Sequence, residues 1–225
     1  RQRQMCIRDR FINYAKQYSD MPFVIMLDED ENGYKAGRFL RASDLGMSGE
    51  NNEWKPVIQD KLSQQLLVPN GTMGQRWEEG KKWNLKLETE DGTPIDPMLS
   101  MVESDYHVET IQFPYFDSSG DGIFERPIAT RTIQLANGEE VKIATVYDLM
   151  TSQYGVQRFE HELEATSYDD ASSKYTPAWQ EQITGIKKEL VTKVAKEFAQ
   201  NAIDTGGRSM IIMGAGINHW FNSDT

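Results

Sequence analysis

The chain has 225 residues, 38% of them hydrophobic, a formal net charge of −11 at pH 7 and a pI of about 4.8. An acidic protein gains nothing from releasing counterions at a phosphate backbone or an anionic lipid surface, which argues against both as partners. The longest apolar run, at 23–27, is far shorter than the ~20 residues of a membrane-spanning helix, so any membrane attachment requires a partner protein. These properties describe an acidic globular chain that is either one large domain or part of a bigger protein.

The cysteine count limits the metal sites and cross-links that the chain can hold. With the single cysteine Cys6, neither an internal disulfide nor an all-cysteine zinc or iron–sulfur site can be built from this chain alone. Cys6 lies in residues 1–10, a basic opening without the apolar core or cleavage site of a signal peptide. We predict that residues 1–10 are a foreign or disordered extension and that Cys6 is incidental.

The first predicted elements are a helix and a strand hairpin. Aromatic and apolar residues recur at helical spacing over 11–18, and Pro22 ends this helix before a strand at 23–27. The turn dipeptide Asn32-Gly33 then returns the chain into a second strand over 34–40. The acidic run between the two strands is predicted to form a solvated hairpin tip rather than a metal site.

The middle of the chain has weak periodicity. Glycine, proline and polar clusters, with isolated Trp54, Trp77 and Trp83, predict a loop-rich insertion over 46–126. Because a long irregular stretch is uncommon inside a compact domain, we expect this insertion to lie over a larger body or a partner.

A second hairpin opens the last region, 127–225. Segments at 130–135 and 139–146 alternate apolar with polar residues and flank the turn at 136–138, which is a strong hairpin signal. A helix is then predicted over 147–158 from its apolar spacing.

Two more helices and a strand are predicted after it. A threonine followed directly by a proline, as at Thr176, is typical of a capped helix start and predicts a short helix over 176–183. Apolar residues spaced by three and four over 186–202 form one stripe of a longer helix that ends at Gly206-Gly207. The apolar run at 209–213 then reads as a buried parallel strand, so this region predicts an α/β fold.

The residues after that strand are the best candidate site. The glycines of Gly214, Ala215 and Gly216 would let backbone N–H groups approach a phosphate or a flat heterocycle. Asn218 and His219 would stand at the carboxyl end of the strand, where open α/β sheets bind ligands. On the motif alone, a tight turn with a surface histidine is the favoured alternative, and His219 replaces the third glycine of a dinucleotide fingerprint.

The other two histidines carry little catalytic signal. His107 and His161 have no metal-ligand spacing to another histidine or cysteine, so we expect both to be structural or exposed. No nucleophile–base arrangement can be read from the sequence either.

From residue 11 onward, the chain resembles the catalytic alpha subunit of respiratory nitrate reductases, which are molybdopterin oxidoreductases of the dimethyl-sulfoxide-reductase superfamily. The stretches that carry the resemblance include Gly37-Arg-Phe-Leu-Arg-Ala-Ser-Asp-Leu45, Val68-Pro-Asn-Gly-Thr-Met-Gly-Gln-Arg-Trp77, Thr145-Val-Tyr-Asp-Leu149, Tyr175-Thr-Pro-Ala-Trp179 and Gly207-Arg-Ser-Met-Ile-Ile-Met-Gly-Ala-Gly-Ile-Asn-His-Trp220. The capped helix, the Thr-Gly turn and the amphipathic helix before a buried strand also resemble the wider superfamily.

The resemblance implies an α/β internal part of a molybdopterin oxidoreductase catalytic subunit. Residues 11–45 would be the helix and hairpin of the molybdopterin domain, 46–126 the loop-rich insertion, and 127–225 a hairpin and a molybdopterin-binding segment truncated at its C-terminus. It also implies a molybdenum bis(molybdopterin guanine dinucleotide) cofactor that reduces nitrate to nitrite. The family's [4Fe-4S] cluster and its aspartate ligand to molybdenum are expected before this fragment, and its terminal dinucleotide-binding domain after it. The fragment alone is therefore expected to be inactive.

The resemblance also assigns roles to the candidate site. The residues that match the family's cofactor-side stretch are Gly214, Ala215, Gly216, Asn218, His219 and Trp220. The small residues would bring backbone close to the pterin or its phosphates, and Asn218 would hydrogen-bond to it. His219 would face the molybdenum pocket as a catalytic residue that donates a hydrogen bond or a proton near the bound oxyanion.

The implied partners are an iron–sulfur beta subunit and a haem-bearing membrane gamma subunit. They would hold the enzyme at the cytoplasmic face of a prokaryotic inner membrane, with no span contributed by this chain. Two alternatives stay open at this point. One is a sister enzyme of the same family, such as a nitrite oxidoreductase or a chlorate or selenate reductase, and the other is a non-catalytic α/β binding module.

Overall fold

The computed structural model describes residues 12–31, 33–70, 86–115, 122–165, 167–206 and 208–212. Its strands in chain order are β1 (Val24–Asp30), β2 (Gly33–Phe39), β3 (Ile58–Gln59), β4 (Leu66–Leu67), β5 (His107–Tyr115), β6 (Gly122–Gln134) and β7 (Glu140–Thr145). Its helices are α1 at 12–18, α2 (Val146–Gln153), α3 (Pro177–Thr184) and α4 (Lys188–Thr205), with 3-10 turns at Ala42–Leu45 and Met101–Glu103. The predicted extension at 1–10 with Cys6, and also Trp77 and Trp83, lie outside the described residues.

The strands form a closed barrel in the order β1-β2-β5-β6-β7, and β3 pairs with β4 in a separate small sheet. All barrel pairs are antiparallel except β2 with β5, which meet in parallel at Tyr34↔Ile111 and Lys35↔Gln112. The mixture of helices and strands confirms the α/β class. Its described sheets are nevertheless mostly antiparallel, so the parallel sheet expected of a buried 209–213 strand is not seen among them.

The first hairpin is confirmed, with one change at its tip. β1 pairs with β2 from Ile25↔Phe39 to Asp30↔Gly33, so most of the acidic run belongs to the strand rather than to the turn. Asp30 forms an ion pair with Lys35 across the hairpin, and this charge pairing lets the acidic run lie in a strand. Gly37 is required in β2 because a Cβ there would come 2.7 Å from the carbonyl oxygen of Met26.

The prediction that 46–126 is loop-rich is wrong at its end. β5 lies wholly in that range and pairs with β6 from His107↔Thr130 to Tyr115↔Gly122. Pro114 and Pro127 lie inside these strands. Because a proline argues against a strand when only the sequence is read, the strands were not predicted there. Before β5, the described part of this range contains little regular structure apart from β3, β4 and the 3-10 turn at Met101–Glu103. The division into domains stays a prediction.

The second hairpin is confirmed, and the helix after it is shorter than predicted. β6 and β7 pair from Arg131↔Ile143 to Gln134↔Glu140, around a turn in which Gly138 has a φ of +87°. α2 ends at Gln153 rather than near residue 158. Gly155 adopts a left-handed φ of +68°, and its N–H donates to the Ser152 carbonyl at 2.9 Å, which ends the helix.

Two clusters of buried side chains cover the barrel wall. One consists of Leu27, Ile111, Phe113, Phe124, Ile128 and Ala144. The other consists of Val24, Met26, Leu40, Val57, Met101, Ala129 and Ile143. Because successive residues of a strand point to opposite faces, the neighbours Met26 and Leu27 belong to different clusters. The wall of the barrel is therefore covered on both faces by residues of this chain.

The last region keeps its predicted helices and departs at its strand. Thr176 caps α3, and Gly206 ends α4 with a φ of +73°, so both helix signals are confirmed. Residues 209–212 form no strand, and the side chains of Met210, Ile211 and Ile212 are 77%, 74% and 81% exposed. The predicted buried strand is thus wrong for these residues, because no described strand lies beside them to pair with it.

Candidate functional site

The residues of the predicted cofactor site lie beyond the last described residue, Ile212. They are Gly214, Ala215, Gly216, Asn218, His219 and Trp220, all outside the described residues. Their placement relative to one another therefore stays a prediction. The described structure shows the helices and the segment that lead to them, and two buried polar clusters at the barrel.

The approach to the candidate site begins with two helices joined by a tight turn. The Thr176 hydroxyl accepts a hydrogen bond from the Trp179 N–H at 3.1 Å, which satisfies one of the free donors at the start of α3. Glu181 then links the helices, since its carboxylate accepts from Lys187 Nζ at 2.6 Å and from the Lys188 N–H at 3.0 Å. These hydrogen bonds, with the positive charges of both lysines, lower the pKa of Glu181. The turn between α3 and α4 is therefore fixed by a charged residue.

The segment after α4 is fastened to the end of that helix. Asn201 Nδ2 donates to Ser209 Oγ at 2.8 Å, and Ser209 Oγ donates to the Phe198 carbonyl at 3.0 Å. The Arg208 N–H donates to Thr205 Oγ1 at 3.2 Å. These hydrogen bonds hold 208–209 against the last turns of α4.

The C-terminal arm, which we define as α3, α4 and residues 208–212, has one apolar face that the described residues leave exposed. We define the α4 apolar face as Leu190, Val194 and Phe198, whose side chains are 54%, 55% and 39% exposed. No residue of α4 is buried. The apolar stripe that the sequence predicted is present, but among the described residues it packs against no core.

A carboxylate is buried where β7 meets α2. Asp148 is fully buried and accepts hydrogen bonds from Ser100 Oγ at 2.7 Å and from the Met101 N–H at 2.8 Å. The guanidinium of Arg158 is paired with it at 2.8 Å, and the hydroxyl of Thr145 lies 2.9 Å away. Both carboxylate oxygens are fully engaged, so this cluster joins three parts of the chain and leaves no free base for chemistry.

A second buried charge joins the barrel to the loop before α3. Arg126 of β6 donates to the Leu163 carbonyl at 3.0 Å, and to Ser173 Oγ and the Lys174 carbonyl, both at 3.2 Å. Burial lowers the pKa of this guanidinium, while the negative charge of Asp170 opposes that shift. Its Nε is buried and has no hydrogen-bond acceptor among the described residues. Among the described residues, Arg126 therefore holds the loop in place by hydrogen bonds to oxygens rather than by a close ion pair.

These two clusters were missed from the sequence. Asp148 had a local signal, because an acidic residue three positions after Thr145 matches the pattern of a helix-capping box. Arg126 had none, since its partners lie about 40 residues away in the chain and only the fold brings them together.

The described residues hold no group of three or more histidine, cysteine or acidic side chains that is placed to bind a metal ion. His161 has a structural role, because its Nδ1 accepts from the Leu163 N–H at 3.2 Å. No helix in the described ranges combines the length and the apolar composition that a bilayer crossing requires.

Known proteins resemble this chain over nearly all of its length. It is 52% identical over 218 residues, 96% of the chain, to the nitrate reductase alpha chain of Bacillus subtilis (strain 168). It is 41% identical over 228 residues, 95% of the chain, to the respiratory nitrate reductase 1 alpha chain of Escherichia coli (strain K12). A nitrate reductase alpha subunit of Mycobacterium tuberculosis is 41% identical over 222 residues, again 95% of the chain. The resemblance found in the sequence is confirmed.

The similarity covers only part of these relatives. The chain spans 18% of the length of the first two proteins and 17% of the third. No protein-family model matches the chain.

Proposed function

We propose that this chain, a segment similar to nitrate reductase alpha chains, is part of the catalytic subunit of a respiratory enzyme that reduces nitrate to nitrite. The observation that carries the proposal is the identity of 40–52% to alpha chains, which extends over about 95% of this chain. These relatives are named as nitrate reductase alpha chains in organisms as different as Bacillus subtilis and Escherichia coli. A non-catalytic binding module would have no reason to keep this similarity along its whole length.

The proposed cofactor is a molybdenum bis(molybdopterin guanine dinucleotide), which supplies the two-electron redox chemistry when it is bound. The donor set at 213–220 fits the organic part of such a group. It contains two glycines, a carboxamide and an imidazole, but no carboxylate or thiolate that would bind the metal directly. Gly214, Ala215 and Gly216 would bring backbone N–H groups close to the pterin or its phosphates, and Asn218 would hydrogen-bond to it. Trp220 would pack beside it.

The proposed [4Fe-4S] cluster requires ligands from outside this chain. The single cysteine of the chain cannot supply the three cysteines that accompany the histidine in such a site. The cluster is therefore assigned to other parts of the full-length subunit, and the resemblance implies the same for the aspartate ligand to molybdenum.

His219 is the proposed catalytic residue. An imidazole beside a bound oxyanion can donate a hydrogen bond, or a proton when it is charged, and its ordinary pKa near 6.5 makes both forms accessible at working pH. In the full-length enzyme, we expect His219→Ala to lower kcat for nitrate by about 10²-fold, the low end of the range for losing an acid–base group. His219→Gln, which keeps a donor but cannot titrate, should flatten the pH profile of kcat. An unchanged kcat and pH profile in both variants would remove His219 from the mechanism.

The names of the relatives, as alpha chains, support an enzyme of several subunits. An alpha chain implies other chains, which we propose to be an iron–sulfur beta subunit and a haem-bearing membrane gamma subunit. These partners would hold the enzyme at the cytoplasmic face of a prokaryotic inner membrane and pass it electrons from quinol.

The proposed function is tested on the full-length subunit expressed together with its neighbouring genes. We expect the purified enzyme to contain molybdenum and to reduce nitrate with a reduced viologen as the electron donor. Bound molybdenum without nitrate turnover would point to a sister substrate, such as nitrite running in reverse, chlorate or selenate. Folded protein without molybdenum, from cells that make the cofactor, would leave only a binding module.

A further inference from the structure

The barrel is closed by a short seam between β2 and β5. These strands are paired in parallel at Tyr34↔Ile111 and Lys35↔Gln112, and we call these four residues the β2–β5 seam. On its other edge, β5 is paired with the antiparallel β6 along its whole length. A parallel pairing is also slightly less stable per residue than an antiparallel one. The β2–β5 seam is therefore the place where local opening of the barrel costs least.

Lys142 of β7 reaches this seam through the interior of the barrel. The buried cluster that contains Ile111 and Ala144 takes side chains from all five barrel strands, as the interior of a barrel does. Because alternate residues of a strand share a face, Lys142 faces the same side as Ala144, and Glu109 the same side as Ile111. Tyr34 packs against this cluster. The neighbours of β7 are β1 and β6, so β2 and β5 lie across the barrel from it.

The cation of Lys142 touches both strands of the seam. Its Nζ donates a hydrogen bond to the carboxylate of Glu109 on β5 and lies 4.8 Å from the centre of the Tyr34 ring on β2. The side chains of Lys142 and Glu109 are only 25% and 26% exposed, so water and salt screen this ion pair less than an exposed one. An aromatic ring also attracts a cation placed over its face.

The folded barrel favours the charged form of Lys142. Burial alone would lower the pKa of its ammonium group, but the hydrogen bond to Glu109 and the contact with Tyr34 raise that pKa overall. A lysine whose pKa lies above its ordinary value is protonated at neutral pH. Both attractions across the seam are therefore present under working conditions.

We propose that the barrel opens and closes at the β2–β5 seam and that Lys142 is the latch that holds it closed. The side chain crosses the interior from β7 and draws β5 and β2 together through Glu109 and Tyr34. When the cation is removed, the short parallel pairing remains without this support. The inference uses contacts within this chain and does not rest on the proposed function.

Hydrogen exchange of the full-length subunit, read by mass spectrometry, tests the latch. Lys142→Met keeps most of the aliphatic side chain and removes the charge. We expect the amides of 34–35 and 111–112 that bond across the seam to exchange about tenfold faster, and those of 123–125 in β6 to change by less than about twofold. Unchanged exchange at the seam would overturn the inference. An equal acceleration at 123–125 would also overturn it, because the barrel would then open as a whole.

A second set of variants separates the latch from a general effect of charge. Lys35→Met removes a lysine of the seam itself, whose side chain is half exposed and pairs with Asp30, and it should change seam exchange by less than about twofold. Lys142→Arg keeps the cation and should retain most of the protection. Glu109→Gln keeps the shape of the acceptor, removes its charge and should speed seam exchange severalfold. If Lys35→Met matched Lys142→Met, or if Lys142→Arg lost the protection as fully as Lys142→Met, the inference would be overturned.

Discussion

The barrel and the C-terminal arm are both amphipathic, but they differ in whether this chain buries their apolar faces. In the barrel, both faces of the wall are covered by buried clusters, and the charge of Asp148 is matched within the chain. In the arm, α4 has an equally clear apolar stripe and contains no buried residue. An amphipathic pattern therefore predicts that an apolar face packs against something, but it does not identify the part of the polypeptide that packs there.

The difference also predicts where substitutions should destabilise the protein most. The buried polar groups of the barrel have their hydrogen-bond partners within the chain. Removing one partner therefore leaves a buried group without a hydrogen bond, and water cannot replace it. Interactions of the arm within this chain are mostly local hydrogen bonds and exposed ion pairs, whose loss solvent can compensate. Removing a comparable side-chain group should therefore lower the free energy of unfolding more in the barrel than in the arm.

The largest effect is expected at Asp148. Asp148→Ala removes the acceptor of four buried contacts and leaves Arg158 with an unmatched charge, which should lower the free energy of unfolding by about 3–5 kcal/mol. Pulse proteolysis of the full-length subunit in increasing urea measures this change. Asp169→Ala, which removes an exposed partner of Lys188 in the arm, is the control and should have little effect. Similar losses in both variants would contradict the contrast between barrel and arm.

The next effect is expected at the link between the two regions. Arg126→Met keeps most of the side-chain volume but leaves the Leu163 and Lys174 carbonyls without their donor, at a cost of about 2–3 kcal/mol. Hydrogen exchange should rise over 163–174, while the rest of the barrel keeps its protection. Arg38→Met, which removes an exposed ion pair with Asp44, is the matched control and should leave 163–174 unchanged. If exchange rises evenly over the barrel instead, Arg126 acts as a core residue and not as a clamp.

Local signals explain how much of this structure could be read from the sequence. The cap at Thr176 and the end of α4 at Gly206 depend on residues that are neighbours in the chain, and both were predicted. β5 was missed because Pro114 in β5 and Pro127 in its partner strand β6 break the usual strand pattern, although both strands still pair over their length. The contacts of Arg126 could not be predicted from the sequence, because only the fold brings its partners close to it. The apolar run at 209–213 predicted a buried strand, but residues 210–212 are exposed and no described strand lies beside them, so this prediction depended on neighbours that a local pattern does not identify.

A smaller and pH-dependent effect is expected at Asp60. Burial alone would raise the pKa of this carboxyl, but hydrogen bonds from the Ser63 and Asp96 N–H groups, each at 2.8 Å, and from the Ser63 hydroxyl lower it overall. A lowered folded pKa means that the stabilisation is present above the unfolded pKa of about 3.9 and is lost as the pH falls through the folded pKa. Asp60→Asn should therefore cost about 1.5 kcal/mol at pH 7, and the gap to the unmodified protein should close below pH ~4. A gap that is constant with pH would show that the charge of Asp60 contributes nothing.

The smallest effect is expected at the start of the arm. Thr176→Ala removes the hydroxyl that accepts from the Trp179 N–H, which should destabilise the first turn of α3 by about 1 kcal/mol. That cost corresponds to about a fivefold faster exchange of the amides in this turn, without a change in the barrel strands. Thr176→Ser keeps the hydroxyl and should restore most of the protection. If Thr176→Ala instead accelerated exchange along α4 and in the barrel together, the arm and the barrel would unfold as one unit, and the contrast between them would hold only for their packing and not for their stability.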